Sequence, residues 1–131
     1  MCYRPGMQDS ALPGGQVFIF GEPPPAAAGQ TRQLIRLPTG LRSKRQLLAV
    51  LADRLRFPAY FGWNWDALEE CLHDLSWIPE GVELVLMHAD LPFGRGENRP
   101  LYLQILAGAV KPGRLLACFP AEARDVVQAN C

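Results

Sequence analysis

The spacing of hydrophobic and polar positions changes period several times along the chain, and each change marks an element. Residues 16–20, Gln-Val-Phe-Ile-Phe, form a short apolar run closed by Gly21 and predict a strand. Residues 22–30 hold Pro23-Pro24-Pro25 and three alanines. Prolines without donors and a segment without a face to bury predict an extended surface linker. Thr31 to Leu37, with Leu34, Ile35 and Leu37 apolar, predicts a second strand closed by Pro38 and Gly40. The period then becomes helical: Leu47, Leu48, Leu51 and Leu55 share one face, while Lys44, Arg45 and Arg54 lie on the other. Ser43 and Gln46 have capping-box spacing, and Phe57-Pro58 ends the helix because proline cannot continue the hydrogen-bond ladder.

Tyr60-Phe61-Gly62 reads as a turn, and Asn64 is a good N-cap for a helix from about 65 to 75. Its buried stripe is Trp65, Leu68, Leu72 and Leu75. After Pro79-Glu80-Gly81, residues 82–87 are apolar except Glu83, which suits an inner strand of a parallel sheet covered on both faces. Residues 88–99 read as loop, 100–110 as a third helix closed by Pro112-Gly113, and 115–119 as another buried strand. The tail after Pro120 is weakly amphipathic. Strand, two helices, strand, helix, strand predicts an α/β fold: a small parallel sheet with right-handed helical crossovers. The first run is expected to add a strand, pairing antiparallel with residues 33–37.

The chain has 131 residues, the size of one domain, and 49% of them are hydrophobic. Expected boundaries are an N-terminal extension over 1–30, of which 1–15 lack periodicity, a domain over 31–120, and a tail over 121–131. Thirteen Lys and Arg against thirteen Asp and Glu give zero formal net charge, which disfavours a nucleic-acid binder working through bulk charge. No apolar stretch approaches the roughly 18 residues of a membrane span, and the start lacks a secretory pattern. A cytoplasmic protein without a membrane partner is expected. Cys2, Cys71, Cys118 and Cys131 lie far apart with no CxxC pair, so free thiols are expected, with Cys71 and Cys118 as small core residues.

The segment with chemical content is 60–74, YFGWNWDALEECLHD. Asp66 and Glu70, and Glu70 and Asp74, are four residues apart on the polar helix face that also carries Glu69 and His73. Like charges at that spacing cost roughly 0.2 to 0.5 kcal/mol per pair in an isolated helix. Asp66 and Glu69 recover part of this near the helix N-terminus, whereas Asp74 does not. A cationic partner relieves the repulsion; the plain alternative is a solvated face.

Tyr60, Gly62, Asn64, Asp66, Ala67, Leu68, Cys71 and Leu72 together resemble the signature segment of the barstar family, intracellular inhibitors of secreted bacterial ribonucleases. The order of elements over 31–119 is also similar to that family's three-stranded parallel sheet covered by helices. The resemblance implies a stoichiometric inhibitor, or immunity protein, that needs no cofactor and performs no chemistry. Its acidic helix and preceding loop enter the basic cleft of a ribonuclease, with carboxylates in place of RNA phosphates. On this resemblance Asp66 and Glu70 enter the cleft, Tyr60 packs on a catalytic histidine, and Gly62 and Asn64 shape the approach. The partner-facing set is then Tyr60, Gly62, Trp63, Asn64, Asp66, Glu69, Glu70, His73 and Asp74, on a protein expected to be monomeric when free. The family has aspartate where Glu70 stands and often Trp in place of Glu69. Its members are acidic overall, whereas this chain is neutral.

Two other readings share these residues. Asp66, Glu70, His73 and Asp74, with His88 at a strand end, would be donors for a divalent metal in a hydrolase. No Ser-His-Asp spacing, P-loop or GxGxxG pattern accompanies them, and Gly94-Arg95-Gly96 alone carries little. Trp63, Trp65 and Trp77 beside the acidic face would equally suit a module binding a protein other than a nuclease; at its helical spacing Trp65 belongs in the core, and Trp63, before the cap, is expected exposed. The basic face of Lys44, Arg45 and Arg54 has no interleaved aromatics and reads as solvated rather than RNA-binding.

Overall fold

The computed structural model describes residues 17–94 and 96–129. The readings of 1–15, Gln16, Arg95 and the thiols of Cys2 and Cys131 lie outside the described residues. Among the described residues, β1 (Ile19–Phe20), β2 (Thr31–Leu37), β3 (Val82–His88) and β4 (Leu115–Phe119) form one parallel sheet in the order β1-β4-β3-β2. The helices are α1 (Lys44–Leu55), α2 (Trp65–Asp74), α3 (Asn98–Ala109) and, after a 3-10 turn at Ala121–Ala123, α4 (Arg124–Ala129).

Local chemistry explains the boundaries of α1. The Gln46 N–H donates to Ser43 Oγ at 3.1 Å and the Ser43 N–H donates to Gln46 Oε1 at 3.1 Å, so the capping box forms as the spacing predicts. Arg56, at φ 56°, ends the helix, and Trp77 Nε1 donates to the Leu55 carbonyl at 2.9 Å. The carbonyls left over at the helix end are therefore satisfied in part by a side chain from beyond α2.

Alternation along the strands divides the interior into two clusters. Ile35, Leu37, Leu84, Leu86, Leu115, Ala117 and Phe119 face the helices and pack with Leu47, Leu48 and Leu51 of α1, Leu68 and Leu72 of α2, and Leu103 and Leu106 of α3. Val85, Leu116 and Cys118 occupy the opposite face with Ile19, Met87 and Val110 against them. The non-alternating apolar run of β3 is thus buried on both sides. Glu83, its one charged residue, is buried too: its carboxylate accepts from Arg32 Nη2 at 2.7 Å and from the Gly113 N–H at 2.7 Å. Cys71 and Cys118 are buried free thiols, as expected.

One expectation fails. The first run does not pair antiparallel with residues 33–37; β1 runs parallel beside β4 at the opposite edge, with Ile19 opposite Cys118 and Phe20 opposite Phe119. The reason lies in the proline linker. From β1 the chain must travel three strand spacings sideways, about 14 Å, and back along a strand of about 23 Å. Ten residues reach at most about 31 Å when fully extended, enough for that diagonal. The prolines at 23–25 resist a hairpin, and the chain turns at Ala28–Gly29, where the Gln30 N–H donates to the Ala27 carbonyl at 3.0 Å, before entering β2. A donor contact from Arg32 Nη1 to the Pro24 carbonyl ties the linker down beside Glu83. Phe18, edge-on to Phe119 at 5.2 Å, then rewards pairing with β4 by burying its ring.

Candidate functional site

The loop and helix over 60–74 are positioned by four observable devices. Asn64 Oδ1 accepts the Ala67 N–H at 2.7 Å and starts α2, while Asn64 Nδ2 reaches the Gly62 carbonyl at 3.4 Å. Leu68, Cys71 and Leu72 anchor the inner face, and Leu75, at φ 50°, ends the helix. Arg114 fixes the turn beyond Leu75: Nη2 donates to the Leu75 and Ile78 carbonyls at 2.9 and 3.1 Å, and Nη1 to those of Pro79 and Val82. Trp65, half-buried, packs near Phe93 and Tyr102, so this tryptophan belongs mainly to the interior.

The outer face is then fixed in space. Asp66, Glu69, Glu70, His73 and Asp74 are all exposed and together line an open depression of about 520 Å³. Among the described residues the ion pairs within 4 Å are Arg32–Glu83 and Arg54–Asp53, and none of these four carboxylates takes part in one. Asp74 accepts from the Ser76 hydroxyl at 3.1 Å. Their field is felt by the Cys71 thiol, which burial first, and then Asp74 and Glu70, push above its ordinary value. That thiol is an inert core residue.

The approach loop is equally accessible. Tyr60 is 74% exposed, Gly62 and Asn64 are exposed, and Trp63 is 45% exposed, as the sequence predicts for it. Trp63 adopts φ 59°, a left-handed conformation costing a side-chain-bearing residue about 1 to 2 kcal/mol. Gly62 lies outside that region, and a Cβ built there meets Ala67 Cβ and Asn64 Nδ2 at an ordinary 3.5 Å. The fold therefore does not demand glycine at 62. Trp77 is not part of this surface, because its indole is committed to Leu55.

The chain matches the family model described as Barstar (barnase inhibitor) over residues 34–111, a stretch that contains the whole acidic helix and its loop. The chain belongs to the barstar family. Neither a curated protein nor a solved structure matches it. Barstar-family proteins are inhibitors rather than enzymes, and the parallel sheet with its helices is an α/β arrangement consistent with a barstar-like fold, to which β1 adds a fourth strand at the edge. β1, the whole proline linker, β4 and α4 lie outside the matched stretch.

Among the described residues no group of three or more His, Cys, Asp or Glu side chains converges to hold an ion. His88 does not join the acidic face: it is buried, Nδ1 lies 2.9 Å from the Cys118 carbonyl, and Nε2 lies 2.7 Å from the Tyr102 hydroxyl. All five residues lining the depression come from one helix, and His73 and Asp74 also line a separate cavity of about 330 Å³ with Gly108, Lys111 and Arg114. What sequence alone missed is Arg45. Its face is exposed, as read, yet its guanidinium stands 5.7 Å from the Trp63 ring centroid. No local signal reveals a contact between elements.

Proposed function

We propose that this barstar-family protein is a stoichiometric inhibitor of a ribonuclease, with the acidic face of α2 and the loop before it plugging a basic active-site cleft. The supporting observation is the unpaired state of Asp66 and Glu70 among the described residues, on an exposed helix face inside the family-matched stretch. Carboxylates at helical spacing repel one another in the free protein, and a cleft evolved for RNA phosphates supplies the cations that relieve them. Close charge pairs across the barnase–barstar interface are the reference case for strong interfacial coupling.

The remaining residues take roles by position. Tyr60 offers a flat aromatic surface to a catalytic histidine, Gly62 admits close backbone approach, and Asn64 holds the helix start in register. Glu69, His73, Asp74 and Trp63 form the border of the contact. Glu70 is one methylene longer than the family's aspartate and carries its carboxylate further from the helix. The protein acts in a bacterial cytoplasm as a free monomer. Reduced Cys71 and Cys118 suit that compartment, and no helix among the described residues is long and apolar enough to cross a membrane. The test is a ribonuclease inhibition assay with the parent protein, Asp66→Asn and Glu70→Gln. Loss of potency in the variants supports the mechanism, and undiminished potency in both removes it.

A further inference from the structure

Phe57, Phe61 and Trp63 form a ladder of rings, with centroids 4.8 and then 5.3 Å apart, that runs from the core to the surface. Phe61 is buried and Trp63 is the exposed rung. Arg45, from α1, completes it by placing its guanidinium over the Trp63 ring. Arg45 and Lys44 occupy the first turn of α1, which contains no acidic residue, where the helix dipole disfavours cations. Among the described residues neither has an ion-pair partner. Arg45 of α1 thus reaches Trp63, which lies three residues before Asp66 in the chain, and among the described residues none of Lys44, Arg45, Asp66 and Glu70 takes part in an ion pair.

We infer that Arg45, held on Trp63, is a specificity contact that pairs with an acidic side chain on the rim of the partner's basic cleft. The inference rests on the inhibitor reading above and extends its surface from α2 onto α1. A guanidinium resting on an indole is already partly ordered and less strongly hydrated than an ammonium, so less freedom is lost when it meets a carboxylate. Its planar fork also matches a carboxylate in two parallel bonds. A ribonuclease with a cation at the same rim position meets like charge and is rejected, which makes the patch selective as well as attractive. The acidic helix alone would not discriminate among basic clefts.

The experiment uses barnase as probe and compares inhibition constants and melting temperatures of the parent, Arg45→Gln, Arg45→Glu and Asp66→Asn. About a tenfold weaker inhibition by Arg45→Gln and a larger loss for Arg45→Glu are expected, with melting temperatures close to the parent's. Parent-like inhibition by both Arg45 variants beside a weakened Asp66→Asn overturns the inference and leaves the inhibitor reading intact. Affinity losses matched by loss of folded protein in both Arg45 variants also overturn it, because the residue is then structural. Absence of barnase inhibition by the parent and by both Arg45 variants overturns the inhibitor reading on which the inference rests, whereas inhibition gained only by Arg45→Glu supports the inference, because the charge reversal then admits a partner the parent rejects.

Discussion

His88 and Tyr102 share a short hydrogen bond in the interior, with Nε2 and the hydroxyl oxygen 2.7 Å apart. The Cys118 carbonyl can only accept, so Nδ1 carries the ring proton and Nε2 accepts from Tyr102. Phe119 stacks on the imidazole at 4.1 Å. Burial lowers the His88 pKa to about 4, outweighing the hydrogen bonds to backbone that favour the charged ring. Burial also pushes the Tyr102 hydroxyl well above its ordinary range, which keeps it a donor.

An acid-sensitive stability results from that environment. The unfolded chain takes up the His88 proton near the ordinary value of 6.5, before the folded protein does. The contribution is whole above that pH and is lost progressively as pH falls toward about 4. At roughly 1.4 kcal/mol per pH unit the loss is at most about 3 kcal/mol. Denaturant melts between about pH 4 and 7 should show this slope, and His88→Gln should flatten it while lowering stability at neutral pH. A parent protein with constant stability over that range would refute the assignment.

Neutralising the acidic face should separate stability from function. Glu70→Gln removes like-charge contacts with both Asp66 and Asp74, and should stabilise the free protein by a few tenths of a kcal/mol while weakening inhibition. Thermal melts and inhibition assays on the same samples check both signs. Raising ionic strength should slow association of the parent more than that of the variant.

Gly62→Ala tests whether glycine serves the fold or the contact. The added methyl meets only ordinary packing distances, and the backbone there is not left-handed. Stability should therefore be unchanged or slightly raised, through a less flexible unfolded chain. Inhibition should fall, because a side chain now stands where a partner approaches. A destabilised variant would show instead that the fold needs this glycine.

Glu83→Ala should be the most damaging of these changes. It leaves Arg32, only 15% exposed, without its carboxylate and strips the Gly113 N–H of its acceptor. Breaking a buried pair in this way costs about 3 to 5 kcal/mol. Equilibrium unfolding measures the loss, and a change below about 1 kcal/mol would mean that water replaces the carboxylate.

Much of the architecture was legible because it depends on neighbours in sequence. The leucine spacing of α1 and the Ser43–Gln46 box are short-range, as are the Asn64 cap of α2 and the continuous apolar run of β3, and each forms where expected. The same holds for the candidate surface, since Asp66, Glu70 and Asp74 share a face by helical geometry alone. Readings that required knowing what lies opposite fared differently. The partner of β1, the commitment of Trp77 to α1 and the placement of Arg45 over Trp63 involve residues distant in the chain.

By itself the sequence determined the identity and order of the helices and inner strands, the polarity of each helix face, and the acidic stripe that follows the Asn64 cap. Periodicity and caps are properties of a few consecutive residues, so any fold that keeps those helices keeps them. Only the tertiary structure decided that β1 lies beside β4 and that His88 is sealed in the core rather than offered at a rim. It also decided that Arg45 of α1 rests over Trp63 in the loop before the acidic helix. Those outcomes depend on how far a stiff linker reaches and on which rings close-packing brings together, and neither is written in local spacing.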